Sequence, residues 1–226
     1  MTTADYARAR RLLMRRDPVL AETIRRIGAC GMASRLLTDH LTTLVRAIVG
    51  QQLSSKAAAT IFGRLRALFP DGEITVERLQ ALDDAALRGV GLSSQKLAYL
   101  RDLSARITDG RLQLDELDQL SDEHVIERLI AVKGFGRWTA EMFLMFRLQR
   151  PDVLPVGDLG ICTAVQRIYR LRQRPKPERL KKIGEAWRPY RSIACWYLWE
   201  SLKKSEVGSL KSEAGGLKSE KRDKKR

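Results

Sequence analysis

The stretch Leu129-Ile-Ala-Val-Lys-Gly-Phe-Gly-Arg-Trp-Thr-Ala-Glu-Met-Phe-Leu-Met-Phe146 decides the reading of this chain. Its first residues close an amphipathic helix that opens at Ser121, a good N-cap, with Asp122 and Glu123 at the positive end of the helix dipole. Leu120 and Val125 fall at hydrophobic-staple positions, and Val125, Ile126, Leu129 and Ile130 share one face. The helix ends at Lys133-Gly134. A tight turn, Gly134-Phe135-Gly136, follows, and a nearly all-apolar helix begins at about Arg137. Two glycines around one apolar residue let the backbone turn sharply and approach another surface closely. The first N–H groups of the second helix point outward with the positive end of its dipole, which makes an anion site. Lys133 and Arg137 flank that site, and Phe135 is placed to turn inward as the plug of the turn. A plain αα-hairpin, its glycines only ending a helix, is the alternative. The pattern apolar-x-x-x-Gly-apolar-Gly-basic-x-Thr-Ala is more specific than that, and it points to a DNA phosphate as the anion.

Working outward, the chain reads as a succession of helices. Leu41, Leu44, Val45, Ile48 and Val49 have helical spacing, and Gly50 ends the run. Ser54 or Ser55 caps a helix carrying Ala58, Ile61, Phe62 and Leu65. Asp83 caps a short helix that stops at Gly89. Ser93 or Ser94 opens another with Leu97, Leu100, Leu103 and Ile107, closed by Gly110. Ile74-Thr75-Val76 and Val153-Leu154 are too short to demand a sheet, so the expected class is all-α.

Composition narrows the function classes. The 226 residues hold 42 Lys+Arg against 27 Asp+Glu, a formal charge of +15, which calls for a polyanionic partner. Nine basic residues and four acids fall in 203–226, so +5 belongs to that segment and +10 to the rest. The segment repeats Lys-Ser-Glu every seven residues, with one leucine per heptad and Gly208, Gly215 and Gly216 between. That cannot make a coiled-coil seam, and it reads as a basic disordered tail. Cys30, Cys162 and Cys195 lie far apart without a CxxC pair, which argues against a disulfide framework, a zinc site or an iron–sulfur cluster. They read as buried, reduced thiols of a cytoplasmic protein. The N-terminus lacks the apolar core of a signal peptide, and no apolar run is long enough to span a bilayer.

Downstream of the hairpin comes Asp152-Val-Leu-Pro-Val-Gly-Asp158-Leu-Gly-Ile161, an acid at the start of another helix bearing Val165, Ile168 and Tyr169. From the residues alone, Asp158 is either an N-cap or a catalytic carboxylate. Hairpin plus acid at this spacing resembles the helix-hairpin-helix/Gly-Pro-Asp superfamily of base-excision DNA glycosylases. Within it, GRWTAEMF, VLPVGDLG and AWRPYRSIACWYLW (186–199) are similar to the 3-methyladenine glycosylases of the bacterial inducible alkylation-repair type. Leu44-Val-Arg-Ala-Ile-Val-Gly-Gln-Gln-Leu-Ser-Ser55 resembles the segment before that family's DNA-inserting loop, so the likeness covers roughly residues 40–202.

The resemblance implies a two-lobed helical fold with the active site in the cleft between lobes. One lobe is expected from 1–40 with 150–202, and the other from 41–149. The longer bacterial members carry an N-terminal α/β domain for which this chain has no room. Asp158 is implied as the catalytic residue, stabilising positive charge on the sugar and orienting or deprotonating water. Lys133, Gly134, Gly136, Arg137 and Thr139 are implied on phosphate. Relatives that also nick the strand carry a lysine directly after the residue matching Arg137; here that position is Trp138, so release of the base without strand cleavage is expected. Trp138 would be a pocket wall on which a cationic alkylated purine stacks, with ordinary core as the alternative. Tyr190 and Met142 are further pocket positions; Met142 replaces an aromatic residue, which bears on substrate range. Trp187, Trp196 and Trp199 have a spacing that suggests core.

Extruding a base leaves a gap, and Gln52 or Leu53 is implied as the wedge that fills it, Leu53 as loop packing being the other reading. No cofactor is expected, although the resemblance leaves room for a structural cation on backbone carbonyls near Val132 and Phe135. The expected partner is double-stranded DNA with damaged bases, engaged by a monomer, with no membrane. The competing functions are a non-enzymatic damaged-DNA-binding protein and a glycosylase for other lesions.

Overall fold

The computed structural model describes residues 2–34 and 38–203. Among these, every regular element is helical. In chain order the helices are α1 (Thr3–Arg16), α2 (Pro18–Ile27), α3 (His40–Gly50), α4 (Ser55–Arg66), α5 (Val76–Ala81) and α6 (Asp84–Gly89). They continue with α7 (Ser94–Thr108), α8 (Asp122–Ile130), α9 (Arg137–Phe146), α10 (Leu159–Ile168), α11 (Pro177–Gly184) and α12 (191–203). The caps explain the boundaries. Ser54, Asp83, Ser93 and Ser121 each accept a hydrogen bond from the third residue of the helix they open. Of the alternatives read from sequence, Ser54 rather than Ser55 and Ser93 rather than Ser94 take the role. Thr75, which the sequence reading left outside any helix, caps α5 in the same way. The basic tail expected over 203–226 lies, from 204 on, outside the described residues.

The described residues divide into two compact units, 2–34 with 151–203, and 38–150. In the first, α1 packs on α2, and α2 on α10. Asp17 sits in the bend between α1 and α2. Its Oδ1 accepts the N–H groups of Val19 and Leu20, while Oδ2 accepts Trp187 Nε1 at 2.7 Å and the Tyr169 hydroxyl. Trp187 is fully buried, so its place in the core, suggested by spacing, is real. A buried carboxylate is tolerable only with its lone pairs occupied, which this arrangement achieves.

In the second unit, α3, α7 and α9 pack together around Leu44, Ile48, Leu100, Leu103, Phe143 and Leu144, all essentially buried. Each such side chain contributes roughly 1.5–3 kcal/mol when taken out of water. His40, at the start of α3, bonds Asp118 at 2.7 Å and sets its ring edge-on to Phe143. Lys96 of α7 donates to the Val49 carbonyl at the end of α3, at 2.7 Å.

Candidate active site

The hairpin forms, but its first helix ends at Ile130, ahead of the Lys133-Gly134 end expected from the sequence. Its turn closes by Phe135 N–H donating to the Val132 carbonyl at 3.1 Å, with Phe135 only 6% exposed. Gly134 has φ +84°, in the left-handed region, and a Cβ there would lie 2.2 Å from the Tyr99 ring of α7. Glycine is therefore required twice, for the backbone and for the ring. Gly136 is the N-cap of α9, and no side chain caps that end. The positive end of the α9 dipole therefore faces outward without a capping side chain.

Three neighbours hold this turn. The Lys133 N–H donates to Asp102 Oδ2 at 2.9 Å, and Arg106 pairs with the same oxygen at 2.7 Å. Burial pushes the Asp102 carboxyl up, but the Lys133 amide and Arg106 outweigh it and hold the group below its ordinary range. Gln51, from the loop between α3 and α4, donates Nε2 to the Gly134 carbonyl at 2.8 Å. The expected wedge loop and the phosphate turn are therefore joined by a direct bond. Next to Gln51, Gln52 has φ +57° and is exposed, and Leu53 is 37% exposed.

Arg137 is engaged otherwise than expected. Its guanidinium bonds Glu123 of α8 at 2.7 and 3.2 Å and Glu141 of α9 at 3.2 Å. Two carboxylates offset its charge, so it braces α8 against α9, while the Lys133 side chain is exposed. Trp138 is 52% exposed, which removes the core alternative for its indole. Thr139 and Met142 are half-buried on the same helix. For a cation, the Val132 carbonyl already accepts the Phe135 amide. No group of three or more His, Cys, Asp or Glu among the described residues could hold a metal.

The acid lies on the other unit. Asp158 is 7% exposed and caps α10 through Oδ1, which accepts Ile161 N–H at 2.7 Å. The same oxygen accepts Trp199 Nε1 of α12 at 2.9 Å. Trp199, read from spacing as core, is half-exposed and is instead a partner of the candidate catalytic acid. A Cβ at Gly160 would stand 3.1 Å from both Asp158 Oδ1 and the indole of Trp199, so the glycine makes room for a ring beside the acid. The N-cap reading of Asp158 is met, and the cap uses only one of its two oxygens.

The loop that delivers Asp158 is tied to the start of α12. Arg191 makes a two-pronged contact with Asp152, Nε–Oδ1 at 2.8 Å and Nη2–Oδ2 at 3.0 Å, and Arg188 adds a bond to Oδ2 at 3.0 Å. Ser192 Oγ accepts the Val153 N–H at 2.9 Å. The helix that presents Trp199 thereby also anchors the segment that presents Asp158. Tyr190, expected as a pocket wall, lines a cavity with arginines of α1. The three cysteines are free and buried, and no helix among the described residues is long and apolar enough to cross a membrane.

Known proteins resemble this chain in sequence and in fold. The DNA-3-methyladenine glycosylase 1 of Schizosaccharomyces pombe is 38% identical over 165 residues, covering 72% of each chain. The structure of the S. pombe 3-methyladenine DNA glycosylase in complex with abasic DNA superposes with a TM-score of 0.77 at 33% identity, covering 87% of this chain and 97% of that one. The crystal structure of the DNA-3-methyladenine glycosidase of Bacillus halodurans gives 0.72 at 38% identity, over 84% and 86% of the two chains. The model of the HhH-GPD superfamily of base excision DNA repair proteins matches residues 45–189, and the chain belongs to that superfamily.

Proposed function

We infer that this chain is a monofunctional DNA glycosylase that releases alkylated bases, of the 3-methyladenine and 7-methylguanine class, and leaves an abasic site. The observation that carries the reading is Asp158, buried at the N-terminus of α10 with Oδ1 fixed by the Ile161 amide and the Trp199 indole. The chain acts on DNA held by the hairpin amides, where Gly136 leaves the first turn of α9 without a side-chain cap.

The damaged nucleotide must leave the stack at a cost of a few kcal/mol, and Gln52 or Leu53 fills the gap. Breaking the C1′–N bond sends its electron pair to the departing base and positive charge to the sugar. A cationic alkylated purine departs neutral and stacks well on the exposed indole of Trp138 before it leaves. Asp158 stabilises the sugar cation. Water then adds to C1′, and its proton passes to the carboxylate. Trp138 offers no amine, so no Schiff base forms and the strand stays intact. The setting of such a reaction is the chromosomal DNA of a reducing cytoplasm, in keeping with three free thiols.

The test is base release from methylated duplex DNA by the intact chain. Free base with strand breaks only after alkali supports the reading, and breaks without alkali overturn the monofunctional part. Asp158→Asn should lose at least ~10²-fold in release rate while retaining DNA binding. Full activity in that variant removes Asp158 from the mechanism. A panel of lesions including hypoxanthine and ethenoadenine fixes the substrate range, and binding to abasic DNA without release from any member favours a non-enzymatic binder.

A further inference from the structure

Several arginines of the fold meet carboxylates, among them Arg101, Arg106, Arg137, Arg150 and Arg191. Helix α1 gathers exposed arginines on one face instead. It carries five arginines against one aspartate and buries Tyr6, Ala9 and Leu13 on its inner face. Arg8, Arg11 and Arg15 recur at helical spacing on the opposite side and are exposed. With Arg16 and Tyr190 they line a cavity of about 560 Å³. None of these four arginines forms an ion pair with a described residue. Asp5, the acid nearest in sequence, is held in a capping box with Thr2; Arg8, one turn on, helps to keep its carboxyl below the ordinary range without forming an ion pair.

Like charges three and four residues apart cost a helix a few tenths of a kcal/mol per pair. The helix dipole accounts for cations in the last turn, at Arg15 and Arg16, but not for Arg8 and Arg11. Arg16 donates to the Arg188 carbonyl, which fixes one guanidinium at the wall. Guanidinium forks suit phosphate oxygens, and Arg8 to Arg15 span ~10 Å of helix. That length matches about three nucleotide steps of one strand. Tyr190 adds a hydroxyl and an aromatic face. A row of unpaired forks over that length fits a phosphate backbone better than a single small anion.

We propose that the α1 groove is a second DNA-phosphate contact, carried by the unit that holds Asp158 and separate from the hairpin. It rests on the DNA reading above and adds a site to it. The test uses the full chain and a 30-base-pair undamaged duplex, with affinity measured as a function of salt. Each lost phosphate contact lowers the magnitude of the log–log slope by ~0.9. Arg8→Gln/Arg11→Gln/Arg15→Gln should flatten it by roughly 2–3, with helix content unchanged and single-turnover base release at saturating enzyme preserved. Arg→Lys at the same three positions should restore most of the slope. If the triple glutamine variant does not fold, Arg11→Gln alone should still lower the slope by ~0.9. A slope equal to wild type in either glutamine variant overturns the proposal, also where the variant has lost affinity for an acidic polypeptide. Loss of base release in the wild-type chain would instead strike the glycosylase reading, and the slopes remain measurable without it.

Discussion

Trp199 Nε1 and the Ile161 amide converge on one oxygen of Asp158, at 2.9 and 2.7 Å. The indole therefore sets the rotation of the carboxylate that the proposed chemistry needs. Trp199→Phe keeps the ring and removes the donor. A hydrogen bond to a charged group is worth ~1.5–3 kcal/mol, so base release should fall by roughly 10- to 100-fold. Because Trp199 acts through Asp158, the loss should appear in the single-turnover rate and leave affinity for undamaged DNA unchanged. A fall in affinity with the rate preserved would make Trp199 a structural residue only.

The α-helical class and the hairpin were legible because they rest on local rules. Ser54, Asp83, Ser93 and Ser121 each precede an apolar stripe, and the two glycines at 134 and 136 carry the turn. Trp199 was not legible, because Trp196 and Trp199 on one helix look alike whether they pack in a core or face an acid 41 residues away. The partners of Arg137 were legible only in part. Its place beside the turn is a sequence fact, but a carboxylate 14 residues earlier meets the guanidinium. Only Glu141, one helical turn on, lay within reach of a local reading.

Gly134→Ala tests the turn. The substitution places a Cβ in a left-handed conformation and 2.2 Å from the Tyr99 ring. The backbone effect alone is ~1 kcal/mol, and the ring contact should raise the total to about 2 kcal/mol or more. A chain of this size should then melt roughly 4–8 °C lower. In a Tyr99→Ala background the same substitution should cost only the backbone part. Equal costs in both backgrounds would mean that the ring does not limit residue 134.

Gln51→Ala removes the bond that joins the wedge loop to the Gly134 carbonyl. Stability should fall by ~1 kcal/mol. The larger effect should be on discrimination: affinity for abasic DNA should drop more than affinity for intact duplex, since only the former needs the loop in register. A uniform drop on both would assign Gln51 to the hairpin alone.

Alkali should destabilise the unit built from the two ends of the chain. Burial pushes the Cys30 thiol from 9.0 to about 11 and the Tyr197 hydroxyl from 10.0 to about 12. Tyr6 is raised as well, by burial first and then by its nearness to Cys30. Each group binds its proton more tightly folded than unfolded. Its contribution is therefore complete below the unfolded value and is lost as pH rises through the folded one. Denaturant midpoints should be level up to about pH 9 and fall between 9 and 12. Cys30→Ala should remove the first part of that fall and leave the part due to Tyr197, whose hydroxyl donates to the Gly28 carbonyl at 2.9 Å. An unchanged alkaline profile in that variant would show that Cys30 is already titrating at its ordinary value in the folded chain.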